Sequence, residues 1–130
     1  METLIINNNI YKVVVAASKE EQQQGLMNVN WPPPIMVFPY SNSKIRNFWM
    51  KNTYCPLDIV YCNNNKIVDI KHGTPLSLKT ISSSHPSDLV IEFPFGFCKQ
   101  NNIQKLMDVN LLLSLKSLAK LYVKTLNSES

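Results

Sequence analysis

Two alternating apolar stretches, Leu57, Ile59 and Tyr61 before Asn63-Asn64-Asn65 and Ile67 to Ile70 after it, commit the centre of this chain to a β-hairpin. Asparagine tolerates the left-handed backbone that a tight loop needs, so the turn chemistry agrees with the alternation on both sides. Residues 10–16, with Tyr11 and three successive valines, read as an earlier strand. Further strands are expected over 35–38, over 45–53, at Leu89, Ile91 and Phe93 with Val90 and Glu92 facing away, and at Val109, Leu111 and Leu113. Trp31-Pro32-Pro33-Pro34 lacks the backbone donors a central strand must supply and reads as a stiff surface loop. Residues 39–44 read as a polar turn, and 73–86, rich in Ser, Thr and Pro, as a long loop.

Helices are fewer. Ser18 followed by Glu21 forms a capping-box pattern, and Gly25 can close the short helix it starts. Residues 99–107 place Ile103, Leu106 and Met107 on one side of a second short helix. At the C-terminus Leu115, Leu118, Ala119, Tyr122 and Leu126 recur at helical spacing opposite Lys116, Lys120 and Lys124. The simplest expectation is a helix packed on the domain, with docking to a partner as the alternative.

A chain of 130 residues, 45% hydrophobic, suits one compact unit spanning 1–130, with a core over about 10–114 and the tail helix at 115–126. The expected class is α+β: a β-rich curved sheet or partly open small barrel with short helices and a C-terminal helix. The net charge of +4 is spread along the chain, and no nucleic-acid-binding motif accompanies it, so no nucleic-acid partner is indicated. The N-terminal residues carry no basic and apolar signal pattern, and no window reaches the roughly 20 apolar residues of a membrane span. The expectation is a cytoplasmic protein without membrane contact. Cys55, Cys62 and Cys98 show no CxxC spacing and read as small buried hydrophobes in a reducing compartment.

The run from Phe48 through Trp49-Met50-Lys51-Asn52-Thr53 to Pro56-Leu57-Asp58-Ile59 mixes large apolar and polar groups within one apolar stretch. It resembles the signature of the family known as domain of unknown function 192. Glu20-Glu21 through Gly25-Leu26-Met27, Met36-Val37-Phe38-Pro39 and Val90-Ile91-Glu92-Phe93 are similar to further family segments, and they occur in the family's order over about residues 11–114. The chain departs from the common pattern at Ala17-Ser18, where relatives carry Asp-Thr, and at Met107-Asp108, where they carry Gly-Asp. Many relatives begin with a secretion signal, and some occur in phage genomes. The resemblance implies a compact β-rich fold and leaves the activity open.

Chemistry is sparsely signalled. Ser82-Ser83-Ser84-His85 contains the residue types of nucleophilic catalysis, as would Cys55 or Cys98 beside His72 or His85, but no spacing marks a triad. Neither histidine stands in a metal-ligand motif, and three dispersed glycines make no phosphate loop, so no cofactor is expected. The sequence therefore favours a binding or structural module over an enzyme. One version is a protein-interaction or self-assembling component of a larger assembly such as a viral particle, using the tail and the proline loop. The other is a small-ligand-binding domain built around Trp49, Lys51, Asn52 and Asp58. A small enzyme of unassigned reaction is the third.

Overall fold

In the computed structural model, residues 1–129 are described, apart from the side chains of Ser117, Leu121, Lys124, Thr125, Ser128 and Glu129. The lysine face proposed for the tail is thus defined at Lys116 and Lys120, while Lys124 lies outside the described side chains.

The central hairpin forms as its sequence requires. Strands β5 (Leu57–Asn63) and β6 (Lys66–Gly73) are joined by Asn64 and Asn65, whose φ angles of 50° and 63° suit the mirror-image turn that matches strand twist. Around it a seven-stranded sheet runs in the order β6-β5-β8-β3-β2-β1-β9, with β1 at Glu2–Ile6, β2 at Asn9–Val15, β3 at Met36–Lys44, β8 at Ser87–Pro94 and β9 at Val109–Leu112. The β2/β3 pair is parallel and the other neighbours are antiparallel, so the sheet is mixed. Edge strands β6 and β9 approach through one bridge, Lys66 with Asp108, and the sheet curls without closing.

Both sheet faces carry core, and this decides where every functional side chain can lie. Neighbouring positions on a strand point to opposite faces, and residues paired across strands share a face. Val60, Ile91, Phe93 and Val37 belong to a cluster that also gathers Leu4, Ile67 and Val109, drawing the two ends of the sheet together. Ile59, Tyr61, Val90 and Phe38 face a second cluster covered by Leu26, Met50 and Cys55. Strand β5 is consequently buried on both faces, and so is most of β8. The half-exposed alternation expected for β8 is corrected here: Val90 and Glu92, assigned to an outer face, are covered by the second layer.

That layer comprises α1 (Lys19–Gln24), a small two-stranded sheet of β4 (Asn47–Phe48) and β7 (Ile81–Ser82), and the loop that follows β4. Helix α1 has the anticipated boundaries: Ser18 Oγ accepts from Glu21 N at 3.0 Å, and Glu21 Oε1 accepts from Ser18 N at 2.9 Å. Gln22 fastens α1 to the sheet, its Nε2 donating to Ala16 O and Pro39 O at 3.0 Å each.

Several expectations change. The N-terminal residues form β1, because Asn7 takes φ 52° and turns the chain into a hairpin with β2. Residues 39–44 continue β3 past an irregularity at Pro39. The strand expected over 45–53 stops after Phe48. Asn52 adopts φ 54° in a turn, and Thr53 N donates to Met50 O at 3.1 Å. The second helix occupies Phe97–Gln100 (α2) instead of 99–107, since Asn102 and Leu106 take positive φ values that break a helix. The tail forms α3 (Leu115–Glu129), but Leu115, Leu118, Tyr122, Val123 and Leu126 are exposed; one side-chain tie to the domain runs from Lys120 to Glu21. No described helix is long and apolar enough to cross a membrane.

Candidate functional site

The loop after β4 sorts its side chains by burial. Phe48 packs edge-to-face on Phe38 and Tyr61, at centroid distances of 5.2 and 6.2 Å. Met50 is sealed, close against Gly73, while Trp49 between them is 48% exposed. Trp49 consequently stands at the rim of a cavity of about 250 Å³ bounded by α1, β3, β8 and this loop. Phe38, Tyr40 and Phe48 supply further rings to its wall, Gln22 to Gln24 supply amides, and Thr53 a hydroxyl.

Glu92 lines the same cavity and is 4% exposed. No described residue hydrogen-bonds or ion-pairs with its carboxyl group, whose oxygens open on the cavity; the fully enclosed unpartnered side-chain atom among the described residues is Ser87 Oγ. Gly25 leaves the approach open: a Cβ there would stand 3.9 Å from Glu92 Oε1. Loss of hydration raises the Glu92 pKa from 4.5 to about 8, so the group is mostly neutral at pH 7. Burial likewise lifts Tyr40 to about 12, against the opposing pull of Arg46, and raises Tyr61 further, with the nearby carboxyl of Glu92 adding to both.

Of the four residues selected from sequence, the structure brings two together. Lys51 Nζ lies 5.2 Å from the centroid of the Trp49 ring, a cation held over an aromatic face. Asn52 is exposed and shapes the turn, and its carbonyl accepts from Asn28 N at 2.8 Å. Asp58 belongs to the other side of the sheet, because it pairs with Phe93, whereas Ile59 pairs with Glu92. Its Oδ2 accepts from Gly96 N at 3.1 Å and Cys98 N at 3.0 Å, and its Oδ1 lies 2.9 Å from His72 Nδ1. Asp58 therefore anchors the start of α2 to β5 and orients an exposed imidazole.

The remaining candidates are scattered. Ser84 Oγ and His85 Nδ1 are 3.1 Å apart on an exposed loop, and no acidic group orients the pair among the described residues. Cys55, Cys62 and Cys98 are free and buried. Burial lifts all three thiols, Cys98 to about 12, away from nucleophilic thiolates.

Glu92 escaped selection. Its one signal was an acid inside the otherwise apolar run from Leu89 to Phe93, which reads as an outward residue when alternation is the only guide.

The profile of DUF192, described as an uncharacterized ACR, matches residues 3–111. The chain belongs to this family. No curated protein matches it. The DUF192 domain is similar to a crystal structure of a protein of unknown function from Novosphingobium aromaticivorans DSM 12444, at 22% identity over 83% of each chain and a TM-score of 0.77. It is also similar to a candidate transcription regulator from Sinorhizobium meliloti 1021, at 25% identity over 85% of this chain and 92% of the other, with the same TM-score of 0.77. The departure at Ala17-Ser18 keeps a working cap, since serine replaces threonine as the acceptor. At Met107-Asp108 the turn is held by Asn7, whose Oδ1 accepts from Asp108 N at 3.1 Å. Neither the family description nor these two structures points to a virus.

Proposed function

We propose that this DUF192 domain is a binding module for a small molecule held in the cavity beneath α1, with Trp49 at the rim and Glu92 at the floor. One observation carries the reading: a carboxyl group that is 4% exposed and has no partner among the described residues lines a ring-walled cavity. Ser87 Oγ is the fully enclosed side-chain atom without a partner among the described residues, so the Glu92 oxygens open on the cavity, where the donors of a ligand could meet them. The volume of about 250 Å³ lies just under the range of drug-sized sites, which suits a compact metabolite. In this reading Lys51 sits over the ring of Trp49, Asn52 shapes the turn behind it, and Asp58 supports the sheet from its other face.

Native mass spectrometry of the protein from its source, beside a Gln23→Trp variant that occludes the cavity from an exposed position on α1, tests the proposal. A reproducible added mass on the natural protein that the variant lacks is expected. Equal masses in both, together with no compound in a metabolite panel that alters Trp49 emission in a Trp31→Phe background, would overturn it.

A second reading rests on α3, whose Leu115, Leu118, Tyr122, Val123 and Leu126 are exposed. In it the helix docks on a protein partner, and removing residues 115–130 shifts the mass measured by light scattering.

A further inference from the structure

We infer that the ligand of this cavity is a small organic cation, an amine or quaternary ammonium group whose charge is matched by Glu92 and whose apolar body is held by the rings of Tyr40, Phe48 and Trp49. The inference rests on the binding role proposed above and names the chemical class that role requires. Two features of the lining support it. Among the described residues the cavity wall contains one acid and no Lys, Arg or His. With no base in the described wall an anionic ligand finds no counter-charge there, whereas an ammonium group stabilises the ionised form of Glu92 by supplying its counter-charge and, in an amine, its missing donors. Four rings line the same space, and aromatic faces attract cations most strongly where water is excluded.

The rings already hold cations. The Arg46 guanidinium lies 3.8 Å from the Tyr40 centroid, and Lys51 Nζ lies 5.2 Å from that of Trp49. Neither residue lines the cavity. Arg46 is also committed to Ser87 O and to Asn42, so it cannot swing in without breaking those bonds. Lys51 is exposed on a flexible stem and competes with an incoming cation at the rim.

Binding then couples to a proton. The groups facing Glu92 are Tyr40 from β3 and Tyr61 from β5, both raised well above neutrality, while α1 brings only glutamines to the wall. Glu92, with its pKa of about 8, is the titrating group of the lining between pH 6 and 9, and an ammonium ligand requires its ionised form. The affinity for a cation of fixed charge rises roughly tenfold per pH unit until Glu92 is ionised in the free protein, and then levels.

The test uses four probes of similar size: tetramethylammonium, n-butylammonium, n-butanol and butyrate. Each is titrated by calorimetry against the natural protein, Glu92→Gln and Gln23→Trp, and for the first two Trp49 emission is also followed in a Trp31→Phe background. Expected are binding of the two cations, a rise with pH for tetramethylammonium, a loss of tenfold or more in Glu92→Gln, and a gain in Lys51→Met. Circular dichroism confirms that each variant is folded. If butanol or butyrate binds as well as the cations, and Gln23→Trp abolishes that binding, the cavity reading stands and the cation class is overturned. Cation binding without pH dependence, and unchanged in Glu92→Gln, also overturns the class. Failure of every probe to bind overturns the class as well, and the added-mass experiment then decides the cavity reading separately.

Discussion

Replacing Glu92 with glutamine should change how stability depends on pH more than it changes stability at any one pH. In the folded protein the carboxyl group titrates at about 8, against 4.5 when the chain is unfolded and the group is hydrated. Below pH 4.5 both states carry the proton, and the group contributes no pH dependence. As pH rises from there, the unfolded chain releases its proton while the folded chain keeps it, so the unfolded state is favoured and stability falls. The fall ends once the folded state also ionises, above about pH 8. Each pH unit in that window costs about 1.4 kcal/mol, making about 3 kcal/mol at pH 7 and about 5 kcal/mol once the fall is complete. Those figures are large against a total stability of roughly 5–15 kcal/mol. Glutamine has nearly the same shape and cannot ionise. Its buried amide costs on the order of 1–3 kcal/mol, but that cost is the same at every pH. Urea unfolding of both proteins at about pH 4, 6, 7.5 and 9, followed by far-ultraviolet circular dichroism, isolates the effect, because every other titrating group cancels in the difference. The variant should gain about 5 kcal/mol relative to the natural protein between the lowest and highest pH. A gain below about 1.4 kcal/mol would refute the reasoning, since Glu92 would then titrate within one pH unit of its unfolded value.

Three further outcomes follow from the packing. Gly73→Ala should destabilise the domain by about 1–3 kcal/mol, because the new Cβ would lie 2.5 Å from Sδ of Met50, which is fully buried and cannot swing to solvent. Combining it with Met50→Ala should cost clearly less than the sum of the two singles in urea unfolding, and strict additivity would show that the two sites do not meet. Ser18→Ala should cost about 0.5–2 kcal/mol through loss of the α1 cap, read from the urea midpoint, and an unchanged midpoint would count against the capping box. A thiol reagent at about pH 8 should leave Cys55, Cys62 and Cys98 unmodified in the folded protein and label all three in denaturant, whereas one rapidly reacting native thiol would reopen a nucleophilic role.

Local chemistry was the legible part of this fold. The capping box at Ser18 and Glu21, and the asparagine turn between β5 and β6, depend on residues adjacent in sequence, and they formed as read. Errors arose where a distant element decided the outcome. The loop after Phe48 looked like a strand because its apolar residues suit one. Met50, however, is drawn into the core against Gly73, and Asn52 is placed in a left-handed turn. The exposed face of α3 was illegible for the opposite reason: helical spacing predicts a face without saying whether anything covers it.

The two buried acids show why the candidate site was half legible. Asp58 and Glu92 lie on neighbouring strands, one register step apart, and both are almost wholly removed from water. Asp58 was conspicuous in sequence because it follows a proline in a distinctive motif. Its carboxylate is met by two backbone amides and an imidazole, so its burial is offset within the fold. Glu92 was inconspicuous because an acid at one position of an alternating strand normally marks the solvent side. Only the second layer, closed by α1 and the Trp49 loop, turns that side inward. The register then sends the two acids to opposite faces, giving the satisfied one a structural task and leaving the unsatisfied one in an aromatic cavity. Conspicuousness in sequence tracked the acid that stabilises the fold, and the acid free to recognise a ligand emerged only when its missing partners could be counted.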